Sequence, residues 1–297
     1  MGPLQDLRAP PPRWAHEGRG WPLREHSHFI DAGGLTWHVQ RLGRGPEALL
    51  LHGAGAAGHS WRDVAPRLAS HFTLLVPDLP GHGFTDRAAT PDLDGMSRAL
   101  VALLEAEGAT PRLVVGHSAG AAILAYSILK GRLHPSAFVA INPAFWPLPG
   151  LAGQLFPWAA RWMAKSTLTP RLVARRARDP GALRRIIEGT GSDLDPEGVA
   201  LYRRLASSAG HVAGTLDMLA AWELSGLADD IVRLATPTRF VFGQRDRTLD
   251  VPRATRLAHA MPSARIAWLE GGHLAHEEAP DAAARLISEA LEPEETP

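Results

Sequence analysis

Leu113-Val114-Val115-Gly116-His117-Ser118-Ala119-Gly120-Ala121-Ala122-Ile123-Leu124-Ala125-Tyr126-Ser127-Ile128-Leu129 is the stretch on which the reading of this chain turns. An apolar run of buried-strand type, Leu113–Val115, leads into a turn with a glycine two residues on either side of Ser118. A helix-forming run, Ala121–Leu129, follows. A serine on so tight a strand-to-helix turn is held in strained backbone angles, and the glycines let neighbouring chain approach. Its hydroxyl then stands clear of the sheet, at the positive end of a helix that stabilises developing negative charge. A bland turn before a helix would share the local spacing, so the chemistry has to be judged by partners elsewhere.

Working outward, the same alternation repeats. Leu35, Trp37 and Val39 share one face of a strand that ends near Arg41. Ala48–Leu51, Thr73–Val76, Ala137–Ile141, Arg239–Phe242 and Ile266–Leu269 are further short apolar runs of buried-strand type. Helical patterns fall at Ser60–Ser70, Gly95–Glu107, Ala119–Leu129, Pro252–Ala260 and Pro280–Leu291. Strands alternating with helices call for an α/β chain with a mostly parallel sheet covered on both faces.

One stretch breaks the rhythm. From Ile141 to Arg239 no convincing strand occurs, and a crossover needs only about a dozen residues. The spacing predicts an inserted helical cap over residues 144–228, between core segments 26–143 and 229–297. Residues 1–25 read as an extended arm: Pro10 to Pro12 forbid regular helix, while Trp14 and Trp21 could dock the arm onto the body. The cap holds Trp146, Trp158, Trp162, Met163, Met218 and Trp222, which suggest an apolar pocket for an apolar substrate. Aromatic residues at helical spacing also pack cap against core. The arginines of Arg171–Arg178, with Arg161, could meet substrate carboxylates or form a solvated face.

Composition narrows the function classes. The 297 residues are 45% apolar and 21% charged, the balance of a globular chain, long enough for one sizeable core with an insertion. Lys plus Arg equals Asp plus Glu at 31 each, so no global field recruits nucleic acid or anionic lipid. With no cysteine, disulfides, thiolate metal sites and a thiol nucleophile are excluded. The first 25 residues carry charges and prolines where a secretory signal needs an apolar stretch, and glycine, His117 and Ser118 interrupt the longest apolar run. A cytoplasmic chain without a transmembrane segment is the expectation. No metal or cofactor is expected, because no His/Asp/Glu cluster shows ligand spacing.

A serine hydroxyl needs a base. Among 14 histidines, His273 in Glu270-Gly271-Gly272-His273 follows the last predicted strand, at the edge where active sites of doubly wound sheets gather. His276 reads as packing or capping the next helix. The orienting carboxylate falls to Asp246, in the turn leaving Phe240-Val241-Phe242-Gly243, with Asp250 as a competitor that reads better as a helix cap. The chain order is then Ser118, Asp246, His273. For the oxyanion hole, Leu51-His52-Gly53-Ala54-Gly55 ends a buried strand, so the donors are the amides of Ala54 and Ala119. A mere tight turn at His52–Gly55 is the alternative. Asp78-Leu79-Pro80-Gly81-His82-Gly83 reads as a structural loop.

Together, His52-Gly53, Asp78–Gly83, Gly116–Gly120, Asp246 and Gly271-Gly272-His273 resemble the α/β-hydrolase superfamily over roughly residues 28–292. The resemblance implies an α/β-hydrolase fold, a mostly parallel eight-stranded sheet with helices on both faces and an inserted cap. It also implies ester or related acyl hydrolysis by a serine triad. Dehalogenases and epoxide hydrolases of this fold carry aspartate where Ser118 stands, which argues against both. Carbon–carbon bond hydrolases, hydroxynitrile lyases and cofactor-free peroxidases share the serine triad. Ala119 departs from the Met or Leu of many relatives and could enlarge the pocket. Trp37–Arg41, His59–Asp63 and Pro77–Thr85 resemble, more narrowly, the BchO-type magnesium-chelatase accessory proteins of bacteriochlorophyll biosynthesis. That likeness implies a role around magnesium insertion into protoporphyrin and association with magnesium chelatase but names no substrate, and an apolar ester or a tetrapyrrole-like molecule is the expectation. A non-catalytic accessory protein that binds tetrapyrrole on the same fold is the alternative it raises.

Overall fold

The computed structural model describes residues 9–146, 166 and 168–291. Its strands are β1 (Ser27–Ala32), β2 (Leu35–Gly43), β3 (Glu47–Leu51), β4 (Thr73–Pro77), β5 (Leu113–His117), β6 (Ala137–Ile141), β7 (Thr238–Gly243) and β8 (Ala264–Leu269). The helices outside the long insertion are α1 (Val64–Leu68), α2 (Leu93–Ala106), α3 (Ala119–Leu129), α9 (Val251–Ala260), α10 (Ala275–Glu278) and α11 (Pro280–Ser288). Between β6 and β7 come α4 (Thr169–Ala177), α5 (Pro180–Gly189), α6 (Pro196–Ala206), α7 (Ala209–Ala221) and α8 (Leu227–Ile231).

The strands form one sheet in the order β1-β2-β4-β3-β5-β6-β7-β8. β2 pairs antiparallel with β1 and β4, and every later pairing is parallel. The apolar runs are continuous because successive residues enter different cores. Leu49, Leu51, Val114, Phe138, Ala140, Phe240 and Phe242 pack under α2, α3, α8 and α9. Ala48, Leu50, Leu113, Val115, Val139, Ile141 and Val241 pack under α1 and α11.

β1 has no counterpart among the strands read from the sequence. It is an edge strand whose mostly half-exposed residues leave no buried alternation to detect, and Phe29 is 42% exposed. The helical pattern at Ser60–Ser70 resolves into a 3-10 turn, Gly58–Trp61, followed by the short α1.

Between β6 and β7 the described residues hold helices and no strand. Aspartates cap α5 and α6: Asp179 accepts from Gly181 N and Asp195 from Gly198 N. The limit of the expected cap at residue 228 falls inside α8, whose Leu227, Ala228 and Ile231 are buried in the core. At the other end of the chain, Trp21 is buried against Phe84 and His59. Trp14 packs against Phe29, His38 and Phe84, with Arg24 over its ring at 4.1 Å. Arg204 of α6 donates to the carbonyls of Glu17 and Arg19, joining this arm to the inserted helices. Among the described residues no helix is long and apolar enough to cross a membrane.

Candidate active site

Ser118 stands between β5 and α3 with φ 49° and ψ −111°, a conformation that an L-residue holds only when its surroundings fix it. The surroundings do so through close approach. A Cβ on Gly116 would lie 2.4 Å from Ala121 N, and one on Gly120 would lie 2.4 Å from Leu51 O. Only glycine at both positions lets α3 start so near the strands. The Ser118 amide donates to Ile141 O of β6 at 3.0 Å.

His273, on the loop leaving β8, reaches Ser118 Oγ with Nε2 at 3.0 Å and Asp246 Oδ2 with Nδ1 at 2.8 Å. A carboxylate only accepts, so Nδ1–H donates to Asp246 and Nε2 is left to accept the serine proton. The Asp246 side chain is shielded from solvent. Its second oxygen accepts from the amides of Thr248 (2.6 Å) and Leu249 (3.2 Å). Asp250 instead caps α9 by accepting from Arg253 N. His276 is buried against Trp61 and His117.

The loop that carries His273 is tied down by His117 of the quoted motif and by residues that the sequence did not single out. Asn142, at φ 41° just past β6, donates through Nδ2 to the carbonyls of Gly272 (3.1 Å) and His273 (2.9 Å). Its Oδ1 accepts from Gly243 N at the end of β7. His117 Nε2 meets the same His273 carbonyl at 2.8 Å. From the insertion, Thr190 O accepts the amides of His273 and Arg247, and Ser192 Oγ accepts from Leu274 N. An asparagine followed by proline at a strand end is a turn signal, and it was the available clue to Asn142. Thr190 acts through its carbonyl, which carries no sequence signature.

Neither the Ala54 nor the Ala119 amide donates to a protein group among the described residues. Gly53 O is held by His52 Nδ1 at 2.8 Å and Ala56 N at 3.2 Å. In a trans peptide N–H points opposite to C=O. The Ala54 N–H is therefore aimed away from the His52 ring. His52 Nε2 accepts from Leu79 N, which fixes the tautomer.

Asp78, in the loop after β4, is fully buried with the His38 ring at 2.9 Å, and accepts from the amides of Gly58 and Phe84. Burial alone would raise its carboxyl, but the His38 and His52 rings and the Gly58 amide hold it well below the usual range. This loop has the structural role read from its sequence. Burial likewise pushes His52, His59, His82, His117, His211 and His276 down, His211 to about 4 and His276 to about 3.

Of the four tryptophans singled out as substrate contacts, Trp158 and Trp162 lie outside the described residues. Trp146 is half-buried, with Arg253 over its ring at 4.9 Å. Trp222, at the end of α7, donates its indole N–H to Pro91 O and joins the core beside Leu93 and Met218, so its ring serves packing.

This sheet order, with a serine on the sharp turn after β5 and a histidine and carboxylate after β8 and β7, defines an α/β hydrolase. A family model described as "Alpha/beta hydrolase family" matches residues 48–286, and the chain belongs to that family. It is 36% identical over 276 residues to the "Magnesium-chelatase 30 kDa subunit" of Rhodobacter capsulatus, covering 92% of this chain and 96% of the relative. It is 28% identical over 243 residues to the "Pimeloyl-[acyl-carrier protein] methyl ester esterase" of Xanthomonas campestris pv. campestris strain B100, covering 79% and 90%. Among solved structures, an alpha/beta hydrolase fold protein from Burkholderia ambifaria superposes with a TM-score of 0.71 at 22% identity, covering 88% of this chain and 99% of that one.

Proposed function

We propose that this chain is a serine hydrolase that cleaves an ester or related acyl bond through an acyl-Ser118 intermediate. The observation that carries the reading is the unbroken line from the Asp246 carboxylate through His273 to the Ser118 hydroxyl. In this mechanism His273 Nε2 takes the serine proton as Oγ attacks the acyl carbon. Asp246 stabilises the imidazolium and keeps its tautomer. The oxyanion accepts from the Ala54 and Ala119 amides, while the positive end of α3 favours the charge. Collapse expels the alcohol, protonated by His273. A water, activated by the same ring, then releases the acid and restores Ser118. No metal takes part.

The inserted segment, residues 144–228, acts here as a cap above the site, and its Trp146, Trp158 and Trp162 offer apolar surface to an apolar substrate. Likeness to a magnesium-chelatase subunit supports a tetrapyrrole-like substrate and association with magnesium chelatase, and with them a cytoplasmic setting. The same relative's name supports a second reading, a non-catalytic accessory protein that binds tetrapyrrole. Turnover of small activated esters separates the two. Ser118→Ala is expected to lower kcat/KM by at least about a thousandfold. Wild-type protein inert to such esters would favour the accessory reading.

A further inference from the structure

We propose that His211, on the inserted helix α7, is a positioning residue that fixes the loop carrying the Ala54 amide. The inserted helices would then frame the oxyanion site as well as cover it. The inference rests on the serine-hydrolase reading above.

His211 is buried, and both ring nitrogens are used on main chain of the core. Gly83 N–H donates to Nδ1 at 3.0 Å, so Nδ1 has no proton, and Nε2–H therefore donates to Gly55 O at 3.1 Å. Gly55 follows Ala54 directly and turns the chain at φ 76°. Gly53 O, the carbonyl of the same peptide as the Ala54 N–H, is held by His52, and Gly55 O, two peptides further on, is held by His211. With the turn closed by Ala56 N on Gly53 O and held again at Gly55 O, little movement is left to the Ala54 N–H that it carries. Burial holds the His211 ring neutral near pH 7, as an imidazole that donates on one side and accepts on the other must be.

The helix is set firmly enough to serve as an anchor. One turn beyond His211, a Cβ on Gly214 would lie 2.0 Å from Gly81 O, so α7 is pressed against the loop that supplies the Gly83 amide. Arg87 pairs with Asp217 on the same helix, and Trp222 donates to Pro91 O at its end. Packing alone would be met by any flat ring at position 211. Two hydrogen bonds to the backbone of two core loops would not.

Three variants and two probes test this. His211→Phe keeps a planar ring and removes both bonds, His211→Gln can offer a donor and an acceptor, and His211→Asn is too short to reach both partners. The readouts are kcat and KM on a small activated ester, and the affinity of a trifluoromethyl ketone that forms a tetrahedral adduct. Removing a whole oxyanion donor costs about 100- to 1,000-fold, so a misaimed one should cost roughly ten- to a hundredfold in kcat, with KM within about twofold. Ketone affinity should fall in parallel, and His211→Gln should recover most of both. His211→Asn should lose kcat as well, and it keeps the test open should the phenylalanine variant not fold. Wild-type kcat in folded His211→Phe or in His211→Asn, or a glutamine variant no better than phenylalanine, overturns the inference and leaves the hydrolase reading standing. Wild-type protein that neither turns over the ester nor reacts with a fluorophosphonate overturns both.

Discussion

Ser118, Asp246 and His273 lie one, three and four residues past the ends of β5, β7 and β8, whereas the insertion reaches the Asp246 and His273 loops through Thr190 O and Ser192 Oγ, and the loops of Gly55 and Gly83 through the His211 ring. At the sheet edge the groups that meet are side chains, and strand order brings them together. β6 lies between β5 and β7 and supplies Asn142, which joins the ends of β7 and of the His273 loop. In the insertion the contacts are largely carbonyls and small polar groups that hold loops still. On the proposed function one region contributes reactivity and the other stillness, so damage to each should differ in kind.

At the edge the largest effect is expected, and it should saturate. His273→Ala is predicted to cost kcat about as much as Ser118→Ala. The double variant should fall no more than roughly threefold below the worse single, because the two act as one unit. Independent, multiplying losses in steady-state kinetics would mean that the serine and histidine do not share a proton.

Asn142→Ala lies between the two regimes. It removes three buried hydrogen bonds, and the prediction is a loss of about 2–4 kcal/mol in urea unfolding together with a lowered kcat. A stable variant with normal kcat would show that the His273 loop holds itself.

The pH dependence of stability sharpens the comparison further. The depressed histidines bind protons more weakly folded than unfolded, so stability is complete above about pH 6.5 and falls as pH drops toward 4, where His211 titrates. Glu277, buried beside Tyr202 of α6, works in the opposite sense. Burial raises its carboxyl to about 8, so its contribution is complete below about pH 4.5 and is lost as pH rises through 8. Urea midpoints should therefore peak near pH 6–7, and Glu277→Gln should flatten the alkaline side alone. A midpoint that keeps rising above pH 8 would contradict this.

The smallest effect is expected at Asp250, which the sequence offered as a rival to Asp246. Asp250→Ala should cost about 1 kcal/mol of stability through loss of the α9 cap, with kcat unchanged.

Legibility in the sequence follows the same division. β5, the turn at Ser118 and α3 were readable because strand, glycine spacing and helix are all local. Asp246 and His273 were readable because both stand in turns at predicted strand ends. β1 was not, since its half-exposed residues show no alternation. Thr190 was out of reach because it acts through its carbonyl, and His211 because its partners, Gly55 and Gly83, lie more than a hundred residues away in the chain. Periodicity reads what a segment does to itself and says little about which distant carbonyl a side chain will hold.

The central claim is that Ser118 carries the acyl group. Its most direct test is rapid-quench mass spectrometry of the intact protein during turnover of a slowly deacylating activated ester. The account predicts a transient mass increase equal to one acyl group, mapped to the peptide containing Ser118 and absent from Ser118→Ala. Ester hydrolysis at wild-type rate by Ser118→Ala, or an acyl group found on another residue, would contradict it.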